Sequence, residues 1–263
     1  MSGRLEGRST IVTAAGSGIG RATALAFAKA GARVVINDLN EESLAETLGL
    51  VHQQGGTALS LPGDATTRGT NESLVEAAVK NFGGLDCIHL VAGGAVPKAT
   101  LETTDDQYRK MIALNLDSAW MGAQAALPVM QEQRRGSVIG TTSGAGIGSV
   151  MGLAAYGAAK AGVISLMRSI AHEFGALGIR ANTISPGPMA TPGLLSVLTQ
   201  LPTGVEGFES QIPLGRLGTA EEIADAAVFL ASDESRYVSG ALLPVDGAIH
   251  STLSSPDPMA GSR

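Results

Sequence analysis

With 263 residues, 44% of them hydrophobic and 16% charged, the chain can bury a sizeable core, which excludes a disordered protein and fits one large α/β domain. Its 18 Lys+Arg against 24 Asp+Glu leave a net charge of −6, so no basic field draws in nucleic acid. One cysteine, Cys87, allows no internal disulfide, and no apolar run approaches the ~18 residues of a membrane span or resembles an N-terminal signal, so a cytoplasmic protein without membrane contact is expected.

Along the chain, short β-rich runs alternate with helical patterns. Strands are expected at 9–13, 33–38, 57–61, 86–91, 137–142, 180–185 and 241–245, and helices at 18–30, 41–54, 70–82, 104–133, 154–177 and 220–231. Each helix is long enough for a right-handed crossover, so the seven strands should run parallel. Continuous apolar runs such as Val34-Val35-Ile36 mark strands covered on both faces. The expected fold class is α/β, a single Rossmann-type doubly wound domain over residues 1–252 with a seven-stranded parallel sheet flanked by helices.

Two segments break the alternation. Residues 186–218 hold five prolines between a strand and a helix, and a long ordered loop of this kind is more often functional than idle, so 188–217 is read as a substrate lid. Within it, Leu194, Leu195, Val197, Leu198 and Leu201 have the spacing of a short amphipathic helix, for which simple packing on the body is the other reading. The polar tail 253–263, with two prolines, is expected to be flexible, or else to pad a subunit contact.

The first strand runs straight into Thr13-Ala14-Ala15-Gly16-Ser17-Gly18-Ile19-Gly20 and then a helix. Glycines there let the backbone approach a pyrophosphate, and the helix N-terminus offers it N–H groups and a positive dipole, although an ordinary tight turn produces similar spacing. Asp38, at the end of the second strand, suits a ribose 2′-hydroxyl and would repel a 2′-phosphate, and neither Leu39 nor Asn40 supplies a compensating cation. NAD(H) is therefore expected over NADP(H), with a helix cap as the other reading of Asp38. Further on, Tyr156 and Lys160 stand at i and i+4, on one helix face, where a cation lowers a phenol's pKa and readies it for proton transfer. Alone, that spacing is common on helix surfaces.

Taken in order, residues 13–20, Asp38, Asp64, Ala92-Gly93, Asn115, Ser143, Tyr156 with Lys160, and Pro186-Gly187 with Thr191 resemble the motif set of the short-chain dehydrogenase/reductase family along essentially the whole chain. The resemblance implies that Ser143 hydrogen-bonds the substrate oxygen, Tyr156 gives or takes its proton, Lys160 holds the ribose and tunes Tyr156, and Asn115 interrupts a helix and holds a water linked to Lys160. It implies cofactor contacts from Gly16, Ser17, Gly18, Ile19, Asp38, Asp64, Ala65, Ala92, Gly93, Tyr156, Lys160, Pro186, Gly187, Met189 and Thr191. Two departures stand out. Ala14 replaces the first motif glycine, which a methyl tolerates only if φ stays negative, and Leu90-Val91 replace two amides that tie adjacent loops.

The function expected is an NAD(H)-dependent oxidoreductase, without metal, acting on a secondary alcohol or ketone. A 3-oxoacyl-[acyl-carrier-protein] reductase is the alternative, and a non-catalytic dinucleotide-binding scaffold or sensor is the rival from another class. A small or medium, largely apolar, free substrate is favoured because Gly94, Ala95, Val96, Gly144, Ala145, Gly146, Met151 and Met189, placed near it by resemblance, carry no charge. Arg134 and Arg135 supply only half of a basic carrier-docking rim. The resemblance also implies a homotetramer or homodimer packed through helices 104–133 and 154–177, where Ala119, Ala123, Ala125 and Ala126 would allow close approach. His89, His172 and Trp120 read as packing or surface residues.

Overall fold

Side chains alternate across a strand, and here both faces are apolar. In the computed structural model, which describes residues 3–200 and 203–252, Ile11, Val35, Ile88 and Val138 enter one core while Val12, Val34, Ile36, Cys87 and Ile139 enter another. The strands are β1 (Ser9–Val12), β2 (Arg33–Ile36), β3 (Thr57–Ser60), β4 (Cys87–Leu90), β5 (Gly136–Thr141), β6 (Ile179–Pro186) and β7 (Leu242–Val245). They form one seven-stranded sheet in the order β3-β2-β1-β4-β5-β6-β7, every pairing parallel, as expected.

Helices cover both faces. The first core is closed by α1 (Gly18–Lys29), α2 (Glu41–Gln53) and α9 (Ala220–Ala231), through Phe27, Leu44, Val51, Ile223 and Val228. The second is closed by α3 (Arg68–Phe82), α5 (Ser118–Gln133) and α6 (Ala154–Phe174), through Leu74, Met130, Val163 and Met167. Ala119, Ala123 and Ala126 face this second core and are buried, which corrects their expected place in a subunit contact: their small size serves packing within the chain. The expected helix 104–133 is also divided. α4 (Asp105–Ile112) starts on a Thr104–Gln107 capping box and passes through a π turn (Ala113–Asp117) before α5 begins.

Between β6 and α9 lie two short helices, α7 (Pro192–Leu198) and α8 (Gly204–Glu209). With the loop that follows them they make a third, small core in which Leu198, Ile212 and Leu217 are buried, with Leu194, Leu195, Phe208 and Ile249 packed against them. Val197 is 45% exposed and does not share the apolar face assigned to it. Leu201 and the tail 253–263 lie outside the described residues. Because the strand order reverses beside β1, a crevice opens at the carboxyl ends of β1 and β4, where ligands bind in such sheets.

Candidate active site

The carboxyl edge of the sheet collects the expected residues. β1 leads into the glycine turn, β2 to Asp38, β3 to Asp64, β4 to Ala92-Gly93, β5 to Ser143, and β6 to Pro186-Gly187. The first turn of α1 has no acidic side chain, and its N-cap, Ser17, makes no capping hydrogen bond, so its N–H groups stay available to an anion. A Cβ on Gly20 would lie 2.0 Å from the Ala14 carbonyl oxygen, so the turn must fold tightly under the helix. That folding puts Ala14 at φ 51, in the left-handed region, and overturns the expectation of a negative φ: the methyl is accommodated with strain.

Asp38 is half-buried, and its carboxylate accepts hydrogen bonds from the N–H groups of Gly16 at 2.8 Å and Asn40 at 2.9 Å. It thus stands beside the glycine turn. Asn37 donates to the carbonyls of Leu61 and Gly63, holding the loop that presents Asp64, whose Oδ1 accepts from Thr66. Ala65 offers its carbonyl to Asn71. With the family's two amides replaced by Leu90 and Val91, the Thr13 hydroxyl ties the loops instead, accepting from the N–H groups of Val91 at 3.0 Å and Ala92 at 3.2 Å. Thr191 caps α7, and its methyl group comes close to Gly18 across the crevice. This cradle of glycines, helix N–H groups and one carboxylate beside them fits a nicotinamide dinucleotide.

On the other side of the crevice, β5 and α6 are fastened together. Thr142 donates to the Lys160 carbonyl at 2.7 Å, and Gly146 and Gly157 admit backbone where a Cβ would lie 2.7 Å from a main-chain atom. The fit brings the Ser143 hydroxyl near the phenol of Tyr156, and Ser143 Oγ accepts from the Ala145 N–H at 3.3 Å. Lys160 is 3% exposed, donates from Nζ to the Thr141 carbonyl at 3.0 Å, and lies 5.7 Å from the centre of the Tyr156 ring. Burial lowers its pKa to about 8. Burial also raises the Tyr156 phenol above its ordinary value, against a smaller lowering by Ser143, so the depression expected from Lys160 does not prevail in the chain by itself.

Asn115, fully buried in the π turn, donates to the carbonyls of Gly94 and Met111 and accepts from the Gly94 N–H. Gly93 lies so close that a Cβ there would fall 2.7 Å from both Asn115 Oδ1 and Lys160 Nζ. Ser143, Tyr156, Lys160, Asn115 and Gly93 are therefore one cluster. Met189, expected near the substrate carbon, instead turns its side chain into the first core and against Gly218.

One pair escaped the sequence reading. Asp246 is buried at the end of β7, and its Oδ2 is bonded to His250 Nδ1 at 2.5 Å. The imidazole lies on Gly144, next in sequence to Ser143. An Asp and a His at i and i+4 were the available signal, but the packing against Gly144 is a contact across more than a hundred residues.

Residues 13–250 match the family described as enoyl-(acyl carrier protein) reductase. The chain is 39% identical over 247 residues to 2,5-dichloro-2,5-cyclohexadiene-1,4-diol dehydrogenase of Sphingobium indicum, covering 94% of this chain and 98% of that one. The chain belongs to the short-chain dehydrogenase/reductase family. L-Rhamnose 1-dehydrogenase (NAD(P)(+)) of Azotobacter vinelandii is 40% identical, and 3-oxoacyl-[acyl-carrier-protein] reductase of Thermotoga maritima is 36% identical; each alignment covers 94% of this chain, with 98% and 99% of the relative. A crystal structure assigned to this family, from Burkholderia xenovorans, superposes with a TM-score of 0.91 at 33% identity, over 96% of this chain and 100% of that one. The chain is an oxidoreductase of that family, exchanging hydride between a nicotinamide dinucleotide and a secondary alcohol or ketone.

Proposed function

We propose that the chain is an NAD(H)-preferring dehydrogenase of small, free secondary alcohols and ketones, with Tyr156 as its acid/base. The observation that carries this reading is the single cluster of Ser143, Tyr156, Lys160 and Asn115 beside the glycine turn. When bound, the dinucleotide supplies or accepts the hydride. Gly16, Ser17, Gly18 and Ile19 hold its pyrophosphate, Asp38 its ribose hydroxyls, Asp64 and Ala65 the adenine, and Ala92, Gly93, Pro186, Gly187, Met189 and Thr191 the nicotinamide half. Ser143 orients the substrate oxygen, Tyr156 moves its proton, and Lys160 supports the phenolate while Asn115 fixes the loop beside it.

Support for a free substrate comes from the rim. Arg134 and Arg135 precede β5, at the amino edge of the sheet, and Arg135 is paired with Asp86 at 3.0 Å. Neither is offered to a carrier at this chain's own crevice. Residues 188–217, with their own small core, act as the substrate lid, and the protein works in the cytoplasm as a homotetramer or homodimer. Tyr108 and Trp120, each 48% exposed on α4 and α5, are available to such a contact.

The test is an NADH-linked screen of alcohols and ketones with Tyr156→Phe as control. The variant should lose ~10²–10⁴-fold in kcat while still binding NADH, the usual worth of a positioned acid/base. NAD(H) should exceed NADP(H) at least tenfold in kcat/KM, which asks only ~1.4 kcal/mol of Asp38. Comparable values with both cofactors would remove the preference, and a fully active Tyr156→Phe would remove the mechanism.

A further inference from the structure

We propose that His250 is a specificity residue whose Nε2 binds a second hydroxyl group, so that the preferred substrates are diols or polyols over simple alcohols. This rests on the dehydrogenase reading and deepens it. Asp246 fixes the ring: its Oδ2 bonds His250 Nδ1 at 2.5 Å and accepts from the His250 N–H at 3.2 Å, while its Oδ1 accepts from the Ala248 N–H at 2.9 Å. An ionised carboxylate only accepts, so a neutral imidazole held this way carries its proton on Nδ1 and leaves Nε2 as an acceptor. Within the described residues Nε2 makes no hydrogen bond.

Two glycines make room for the pair. A Cβ on Gly144 would fall 1.5 Å from His250 Nε2, and one on Gly187 would fall 2.5 Å from the Asp246 Cα. Gly144 follows β5 and Gly187 follows β6, both at the carboxyl edge of the sheet, and Gly144 directly follows Ser143, which lies near the phenol of Tyr156. Nε2 therefore lies against the residue next to Ser143, the group proposed to hold the reacting oxygen. The loops that follow β4 and β5 carry exposed apolar side chains, with Val96 71%, Val150 51% and Met151 99% exposed. An unpaired acceptor is satisfied by a substrate O–H, and a substrate with a single oxygen, given to Ser143 and Tyr156, has none left to offer. A site built around such a bond rejects the analogue that lacks the hydroxyl, because the polar atom is then left unpaired.

The test compares cyclohexane-1,2-diol and cyclohexane-1,4-diol with cyclohexanol, in the wild type and in His250→Phe, which keeps a ring in place. At least one diol should exceed cyclohexanol in kcat/KM by tenfold or more, and His250→Phe should collapse that ratio at least tenfold. In parallel, the imidazole nitrogens of the ¹⁵N-histidine-labelled wild type, saturated with NADH, are followed by NMR as each compound is added. The diols should shift the His250 Nε2 signal and cyclohexanol should not. Oxidation of alcohols with an unchanged ratio and a silent Nε2 would overturn the role of His250 and leave the dehydrogenase reading intact. A diol-specific Nε2 shift without turnover of any alcohol would do the reverse.

Discussion

Ala14 shows how one residue can be held by its neighbours. The left-handed region costs an L-residue with a Cβ about 1–2 kcal/mol, yet φ 51 is imposed by the approach of Gly20 to the Ala14 carbonyl. Ala14→Gly removes that strain but gives the unfolded chain more freedom, worth roughly 0.5–1 kcal/mol the other way. The expected result is a gain of up to about 1.5 kcal/mol in urea unfolding, with NADH affinity retained; a loss of stability would show that the turn does not strain alanine. Residues such as Tyr156, Lys160 and Asp38 were legible because their spacing within one turn or strand end carries the chemistry. Ala14, Thr13 and His250 were not, because their roles depend on Gly20, on Val91 and Ala92, and on Gly144, contacts that periodicity does not encode.

Among the elements, the interrupted helix is the most informative. A five-residue π turn, Ala113–Asp117, lets Asn115 reach Gly94 while α4 and α5 continue on either side. Deleting Leu114, which is 39% exposed and leaves no large cavity, should restore α-helical winding and turn the asparagine by about 100° relative to α4. The variant should be at least as stable as the wild type, yet lose tenfold or more in kcat, with faster amide exchange at Gly94. Unchanged exchange would mean that Asn115 does not hold that loop. The seven strands and the long helices were readable from alternation and length. The π turn was not visible in helix periodicity and entered only through the family resemblance at Asn115, and the short helices α7 and α8 fall in a proline-rich stretch where propensity is weak.

At the scale of the whole molecule, acid should act through His89. It is buried on β4, bonded at 2.9 Å to Thr141, and burial lowers its pKa to about 3. Unfolded histidine takes its proton near pH 6.5, so between about 6.5 and 3 the unfolded chain binds more protons and stability falls as pH falls. From pH 6.5 to 4.5 this amounts to roughly 2–3 kcal/mol. His89→Leu should therefore show a smaller drop in urea midpoint over that range, and an equal drop would assign the acid sensitivity elsewhere. Heat should act differently, because residues 188–217 close on a small core of Leu198, Ile212 and Leu217 that shares Ile249 with the turn bearing His250 and is separate from the two large cores on the sheet. A unit with so few buried contacts opens at a lower free energy than the body. On warming, catalysis should fade, and return on cooling, several degrees below the calorimetric melting of the sheet, so that the working range of the enzyme is set by its smallest core.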